Sequence, residues 1–378
     1  MHESDTRTGT AGLIRDLELQ HRALSGRCPS YLRALELLPS VLEGTAGRYI
    51  EAAWSHRRFH AFYDRPLLLL AALRADARAE GPSHPLHAAF VSEPPLELGV
   101  TADALSDALG PARERVYEAL TARKVQTNET SRAVAWLWPA ALAGASGGRR
   151  SVALADVGAS AGLNLVADAL PVPWSFLDGQ GVELAREIRA VARLGLDASP
   201  LDAARPEDAD WLRACIWPGE PEREERLEEA LAAFAAARSR PDAPVLVPIL
   251  AGNVPARLDV LSSTERGALV IAYQTVFHDY LARDERAEYR AGMHGWLSAH
   301  PPGQALWVEL EPSTGPGIDP PRACALVAHL RAPDGVLRTM TLARCGYHPR
   351  VLHPEWETVN ELRMLLDCAG DEAAPGTP

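Results

Sequence analysis

Lysine is almost missing from this chain: Lys124 stands alone, and arginine carries the rest of the positive charge. Lys+Arg number 38 against 50 Asp+Glu, a formal net charge of −12. No basic face is therefore expected, and without one a nucleic-acid partner is excluded. Cysteine is scarce too. Cys28, Cys215, Cys324, Cys345 and Cys368 are scattered, odd in number and without metal-ligand spacing. That argues for a reduced, cytoplasmic protein with no metal site. Long apolar runs are lacking as well, since none, residues 66–73 included, reaches the length of a bilayer span. The opening residues show no charged-then-apolar leader. Neither membrane insertion nor secretion is expected.

What is present is ample apolar material, 47% of 378 residues, enough for one large domain or two modest ones. Apolar residues at helical spacing over 14–24, 31–42, 67–73 and 116–120 predict a mostly helical N-terminal part. The Pro- and Gly-containing residues 81–99 read as a long connection. A further helix over 129–143, which Pro139 can kink, stops at Gly144, Gly147 and Gly148. From residue 151 short apolar runs alternate with helical patterns, at 152–155, 191–196, 245–250, 268–272, 305–310, 323–330 and 337–342. Such alternation predicts a mainly parallel sheet covered on both faces. The last two runs, joined by Pro333-Asp334-Gly335, predict an antiparallel terminal hairpin. The expected division is a helical cap region at 1–148, a catalytic α/β domain at 149–369 and a disordered tail at 370–378.

The most informative stretch runs SVALADVGASAGLNL at 151–165. An apolar strand ends in Asp156, followed by Gly158, Ser160 and Gly162 and then a helix start. Small residues let backbone approach a ligand, and N–H groups opening a helix are partly positive. A carboxylate beside them suits an amine-bearing, amino-acid-like cofactor and repels a pyrophosphate. The same residues satisfy G-x-S-x-G, the nucleophile elbow of serine hydrolases. On that reading Ser160 attacks an ester or amide carbonyl, with His348 or His353 as base and Asp334 or Asp319 orienting it. Against it, about 150 helical-looking residues precede the first strand, no oxyanion loop lies upstream, and the elbow does not call for Asp156. A nicotinamide or flavin fingerprint needs glycine at Ser160 and another beyond Gly162, where Leu163 stands. The plain alternative is a turn that packs a helix closely on a sheet.

The turn resembles the first motif of Rossmann-like S-adenosylmethionine-dependent methyltransferases, D-x-G-x-G-x-G, with Ser160 in place of the middle glycine. The chain more widely resembles bacterial domain-of-unknown-function family 2332. The likeness rests on VQTNE at 125–129, DVGASAGLN at 156–164, GLDASPLD at 195–202, DWLRACIWP at 210–218 and FHDYL at 277–281. It implies an α/β, Rossmann-like methyltransferase fold behind the helical region, with S-adenosyl-L-methionine as cofactor. By this resemblance Asp156, Gly158, Ser160 and Gly162 line the amino-acid end of the cofactor, with Asn164 adding a hydrogen bond. Asp197, ending the second strand, would hold the ribose hydroxyls, with an insertion at about 171–190. Asp178, otherwise a turn residue, is the alternative. Asn253 stands where the family pattern has an acid meeting the adenine amine.

Methyl transfer asks the protein to position two molecules and, where needed, to remove a proton from the acceptor. His278 is the candidate base, its alternative being a histidine satisfied by a backbone carbonyl; Tyr273 and Tyr280 would shape the acceptor pocket or simply pack. Gln126, Thr127, Asn128 and Glu129 form a polar cluster that either caps the next helix through Thr127 or Asn128 or lies over cofactor and acceptor. Glu309 and Glu311 end the fifth strand, where one would bind an acceptor amine unless both are solvated. Trp211 and Trp217 read as core rather than pocket. The expected partner is a small-molecule acceptor, with no nucleic acid, no membrane and room for a homodimer. The alternatives are the Ser160 hydrolase and a non-catalytic nucleoside-binding protein.

Overall fold

The computed structural model describes residues 9–24, 26–147, 151–171, 173–182, 189–261, 267–313 and 322–371. Its contacts divide the chain into two compact units, Met1–Thr127 with Ala204–Glu225, and Asn128–Ala203 with Arg226–Pro378.

The first unit is helical, as its period predicted. It holds α1 (Thr10–Leu24), α2 (Pro29–Leu42), α3 (Thr45–Trp54), α4 (Asp64–Glu80), α5 (His87–Phe90), α6 (Ala102–Ala108), α7 (Glu114–Ala122) and α9 (Pro206–Ala214). The start of α6 is capped by Thr101, which accepts from the Ala104 amide at 3.1 Å, while Asp64 at the start of α4 fixes the preceding turn by accepting from the amides of His60 and Ala61 at 2.8 and 2.9 Å. Residues 81–99, expected as a connection, contain α5 and short 3-10 turns. Arg74, only 1% exposed, explains why α9 joins these helices. Its guanidinium donates to the carbonyls of Phe90 at 2.8 Å and Arg213 at 2.6 Å, and reaches Ile216 and Glu224 as well. A buried cation without those acceptors would be costly.

The second unit is α/β. Its strands are β1 (Ser151–Val157), β2 (Ser175–Phe176), β3 (Arg189–Asp197), β4 (Val245–Pro248), β5 (Leu269–Thr275), β6 (Ala305–Pro312), β7 (Cys324–Arg331), β8 (Leu337–Cys345) and β9 (Val351–Pro354). They form one sheet in the order β2-β9-β8-β7-β6-β5-β1-β3-β4. Pairing is parallel from β4 to β6 and antiparallel through β7, β8 and β9. The seven predicted runs are all strands, and the hairpin turns at Pro333-Asp334-Gly335, where Gly335 takes φ +81°.

Both faces are covered, which is why the central strands are apolar throughout. Val152, Leu154, Ile271 and Leu306 pack against Trp136 and Trp138 of α8 (Val134–Gly147) and Leu362 of α13 (Trp356–Asp371). Ala153, Ala155, Ala272 and Trp307 pack against Leu258 of α11 (Val254–Leu258) and Met293 and Leu297 of α12 (Arg283–Ala299). The remaining helix, α10 (Pro221–Ala237), contains the third boundary between the units, after Glu225. The helix expected over 129–143 opens as a 3-10 turn, Thr130–Ala133, and continues as α8 past Pro139 without ending there.

β2, β9 and α13 were not foreseen. The last of these carries helix through Gly370 to Asp371, which corrects the start of the expected tail; residues 372–378 lie outside the described ones. Among the described residues no helix is long and apolar enough to cross a membrane.

Candidate functional site

β1 lies between β3 on one side and β5 on the other. After β1 the chain visits β2 at the far edge beside β9 and then returns to β3 and β4 on one side of β1, whereas β5 and β6 follow on the other, so the order of the parallel strands reverses between β1 and β5. Open parallel sheets form their ligand crevice at such a divide, outside the carboxyl ends of the strands.

The glycine turn stands there. Gly158, Ser160 and Gly162 have φ of +79°, +53° and +72°, a region costly for any residue with a side chain. A Cβ on Gly158 would sit 2.8 Å from Phe277 Cδ2, and one on Gly162 2.7 Å from Leu246 Cδ2. These glycines therefore also serve close packing inside the protein. The turn is pinned from two directions. Asp197 accepts from the amides of Ser160 at 2.9 Å and Ser199 at 2.7 Å. Asn128 donates through Nδ2 to Ser160 Oγ at 2.7 Å and accepts from the Ala161 amide at 3.3 Å. Asn128, Ser160 and Asp197, far apart in sequence, thus meet at one turn.

Asp156 pairs in register with Tyr273 on β5 and Gly195 on β3. Its side chain is 2% exposed and forms no ion pair with any described residue. Burial, with a smaller push from the charge of Asp197, raises its carboxyl to about 7 against the opposing influence of Tyr273. The Tyr273 hydroxyl is close enough to lower that carboxyl, yet makes no well-formed hydrogen bond. Among the described residues it and Asp156 Oδ2 are each buried without a partner, as is Asn164 Oδ1. The Asn164 carbonyl receives Trp136 Nε1 at 2.9 Å. An unsatisfied buried acceptor is what an ammonium group needs opposite it, so these residues fit the amino-acid end of adenosylmethionine.

Across the divide, β5 ends at Thr275 and is followed by Val276, whose φ of +53° is exceptional for a β-branched residue. Two residues on is His278, 8% exposed, whose Nε2 lies 3.3 Å from Glu309 Oε1 without forming a hydrogen bond. Burial, aided by Arg290, Arg286 and His329 against Glu309, lowers its imidazole to about 4, so it is neutral at pH 7. The backbone-carbonyl alternative for His278 is not what its ring nitrogen meets. Glu309 is buried and held low despite that burial by His329, Arg290 and His278. The solvated reading of Glu309 is thereby corrected. Glu311 accepts from Gln274 Nε2 at 2.8 Å and the amides of Phe277 at 2.9 Å and His278 at 3.3 Å. Burial raises it to about 7. Tyr280, 51% exposed, is not packed in.

The family model described as "Uncharacterized protein conserved in bacteria (DUF2332)" matches residues 17–354. The chain belongs to this family. No curated protein and no solved structure matches it.

In this DUF2332 chain the remaining candidates are dispersed. Glu129, buried, is itself the cap of the 3-10 turn, accepting from the Ser131 amide at 3.2 Å, a role expected of Thr127 or Asn128. Its carboxylate takes a bidentate pair from Arg226 at 3.0 and 3.1 Å and lies 3.5 Å from His348 Nδ1. Neither partner was anticipated, because Arg226 is one of two arginines among the glutamates of α10 with nothing in sequence to single it out. Gln126 belongs to the helical unit, its backbone beside the Cys215 thiol. Asn253 is exposed in a 3-10 turn after β4. Asp178 accepts from the Gln180 amide at 3.0 Å, as a turn residue does. Trp211 is buried, donating to the Lys124 carbonyl at 2.8 Å, which is the core reading. Trp217 is partly buried under Arg27, 5.0 Å from its ring centre.

Of the acids offered to a hydrolase, Asp334 is engaged at the hairpin turn by the Val336 amide at 2.9 Å and Arg338 at 2.5 Å, and Asp319 lies outside the described residues. Among the described residues no three His, Cys, Asp or Glu side chains gather as a metal site. A groove of about 410 Å³ lined by Leu170, Pro171, Glu229, Ala233 and Arg240 lies apart from all these residues.

Proposed function

We propose that this protein is an S-adenosylmethionine-dependent methyltransferase acting on a small-molecule acceptor. The observation that carries the reading is the buried, unpaired Asp156 Oδ2 at the divide between β1 and β5. Counted among the parallel strands, β4-β3-β1-β5-β6 is the 3-2-1-4-5 order of doubly wound sheets, which supports a Rossmann-like description.

When bound, adenosylmethionine supplies an electrophilic methyl group. Asp156 would accept from its ammonium group; a cation there favours the ionised carboxylate that burial alone disfavours. Asp197 ends β3, where it keeps acceptor capacity for ribose hydroxyls beyond its two backbone contacts. Asn164 and Asn128 flank the turn, while Asn253 keeps the adenine role that the likeness suggests. His278, neutral at pH 7, is the group proposed to take the acceptor's proton, with Tyr273 bordering the site. Glu129, neutralised by Arg226, serves better to hold the segment of Asn128 than as a base.

Calorimetry tests the reading. Adenosylmethionine and adenosylhomocysteine should both bind at micromolar concentration or tighter, with a loss of about 10-fold or more in Asp156→Ala, roughly one charge-assisted hydrogen bond. Absence of binding to the wild type overturns it. One observation favours a second reading: Ser160 takes φ +53° within G-x-S-x-G, as a strained nucleophile elbow would. Labelling of Ser160 by a fluorophosphonate, with no cofactor binding, would make that the better assignment. Binding without turnover on any metabolite pool would leave the non-catalytic nucleoside-binding alternative.

A further inference from the structure

Gln274 of β5 pairs in register with Glu309 of β6, and Tyr273 with Asp156 of β1. Successive side chains of a strand alternate between the two faces of a sheet. Gln274, Trp307, Glu309 and Glu311 therefore share the face that α12 covers, and Asp156 stands on the other. Gln274 is wholly buried there, its oxygen receiving the Tyr289 hydroxyl at 2.6 Å and Trp307 Nε1 at 3.1 Å. With that oxygen occupied, its amide nitrogen is turned to Glu311 Oε1 at 2.8 Å. The same Oε1 accepts from the Phe277 amide at 2.9 Å, and the His278 amide lies 3.3 Å from each oxygen. The hydrogen-bond partners of Glu311 are all donors, the setting of an ionised carboxylate.

The amides gathered by Glu311 follow directly on Val276, the residue at φ +53°, whose own amide donates to the Leu310 carbonyl at 2.8 Å. A β-branched residue stays in that region only where its surroundings over-determine it. Two amides held by Glu311, and one held by the carbonyl just before it, supply that constraint. What the constraint fixes is Phe277. A Cβ on Gly158 would meet Cδ2, Cγ and Cε2 of its ring at 2.8, 3.5 and 3.6 Å, so the ring lies directly against the glycine turn. Tyr289 meets that ring edge-on, with ring centres 5.3 Å apart.

We infer that Glu311 is a positioning residue for the glycine turn: from the face opposite Asp156 it holds the Phe277 and His278 amides, seats the Phe277 ring on Gly158, and so fixes the surface that the cofactor meets. This rests on the cofactor reading proposed above. Glu311 does this without reaching the cofactor itself, because its oxygens are turned to donors of its own chain. Cofactor affinity then depends on a carboxylate that makes no contact with the cofactor.

Magnetic resonance of the full, ligand-free chain tests the seating at pH 8, above the value of about 7 to which burial raises Glu311. In the wild type, Gly158 should show cross-relaxation with the Phe277 ring and a ring-current shift, and the Phe277 amide should exchange slowly with solvent. Glu311→Ala should abolish the Gly158 signals and speed exchange of the Phe277 amide by about 10-fold or more, as loss of a hydrogen bond to a charged group does. Glu311→Gln, which keeps an acceptor oxygen, should restore both in part. In calorimetry, Glu311→Ala and Phe277→Ala should each weaken adenosylhomocysteine by about 10-fold, and the double variant by no more than either, because both unseat the same ring. A freely exchanging Phe277 amide in the wild type overturns the inference, and that measurement needs no variant to fold. Gly158 signals that persist in Glu311→Ala, or binding that this variant leaves unchanged or tightens, overturn it as well. If the wild type binds no adenosylhomocysteine, the proposed function fails, and the spectra alone decide whether Glu311 seats Phe277.

Discussion

Asp156 is a carboxylate kept where water cannot reach it and where no cation among the described residues answers it. Its carboxyl is raised to about 7 in the fold, against about 4 in an unfolded chain. The folded form therefore holds the proton more tightly, and stability present below about pH 4 is lost as pH rises towards 7. Asparagine at this position has no proton to lose. The urea midpoint of Asp156→Asn, relative to wild type, should rise between pH 5 and pH 8. A constant difference across that range would mean the carboxylate already has a partner. Val276 and Ser160, both at φ +53°, add strain to the same divide, and strain of this kind persists where surrounding structure over-determines it.

Among the elements, the 3-10 turn Thr130–Ala133 and the start of α8 have to be held against the glycine turn, and Glu129 is the anchor. Buried and paired with Arg226 through two hydrogen bonds, it is stable only as one member of a pair. Arg226→Ala should cost about 3 kcal/mol or more in urea denaturation, because it strands a buried charge. Glu129→Gln should cost less, since it removes the charge as well as the contact. Equal, small losses would show that the pair is not desolvated. The hydrogen bonds of Asn128 and Asp197 to the turn belong to this same system, which positions Ser160 from the end of β3 and from the segment before the 3-10 turn at once.

At the scale of the molecule, the chain enters the helical unit twice, at Met1–Thr127 and at Ala204–Glu225. The second visit is bound to the first through Arg74 and through Arg123, which pairs with Asp208. A fragment of residues 128–378 therefore retains α9 with the apolar faces of Trp211 and Leu212, but without the helices that bury them. Expressed alone, it should self-associate in size-exclusion chromatography and unfold less cooperatively than the full chain. A monodisperse, cooperatively folding fragment would refute that dependence.

The amino-acid sequence by itself determined the class of the protein. Short apolar runs between helical patterns can only bury themselves in a covered, mostly parallel sheet, and Pro333-Asp334-Gly335 can only reverse it. It also marked Asp156, Gly158, Ser160, Gly162, Asp197 and Asn128, because small residues beside acids and amides have few other uses at strand ends. Tertiary structure alone decided what these residues do to one another: that Asp197 and Asn128 pin the serine, that Arg226 neutralises Glu129, and that Glu309 gathers His278, His329 and Arg290. It also decided that residues 204–225 leave the sheet for the helices, and that α8 lies on the sheet. The reason is physical. Periodicity records which face of an element avoids water, whereas a charge records nothing about its partner until folding removes the solvent between them.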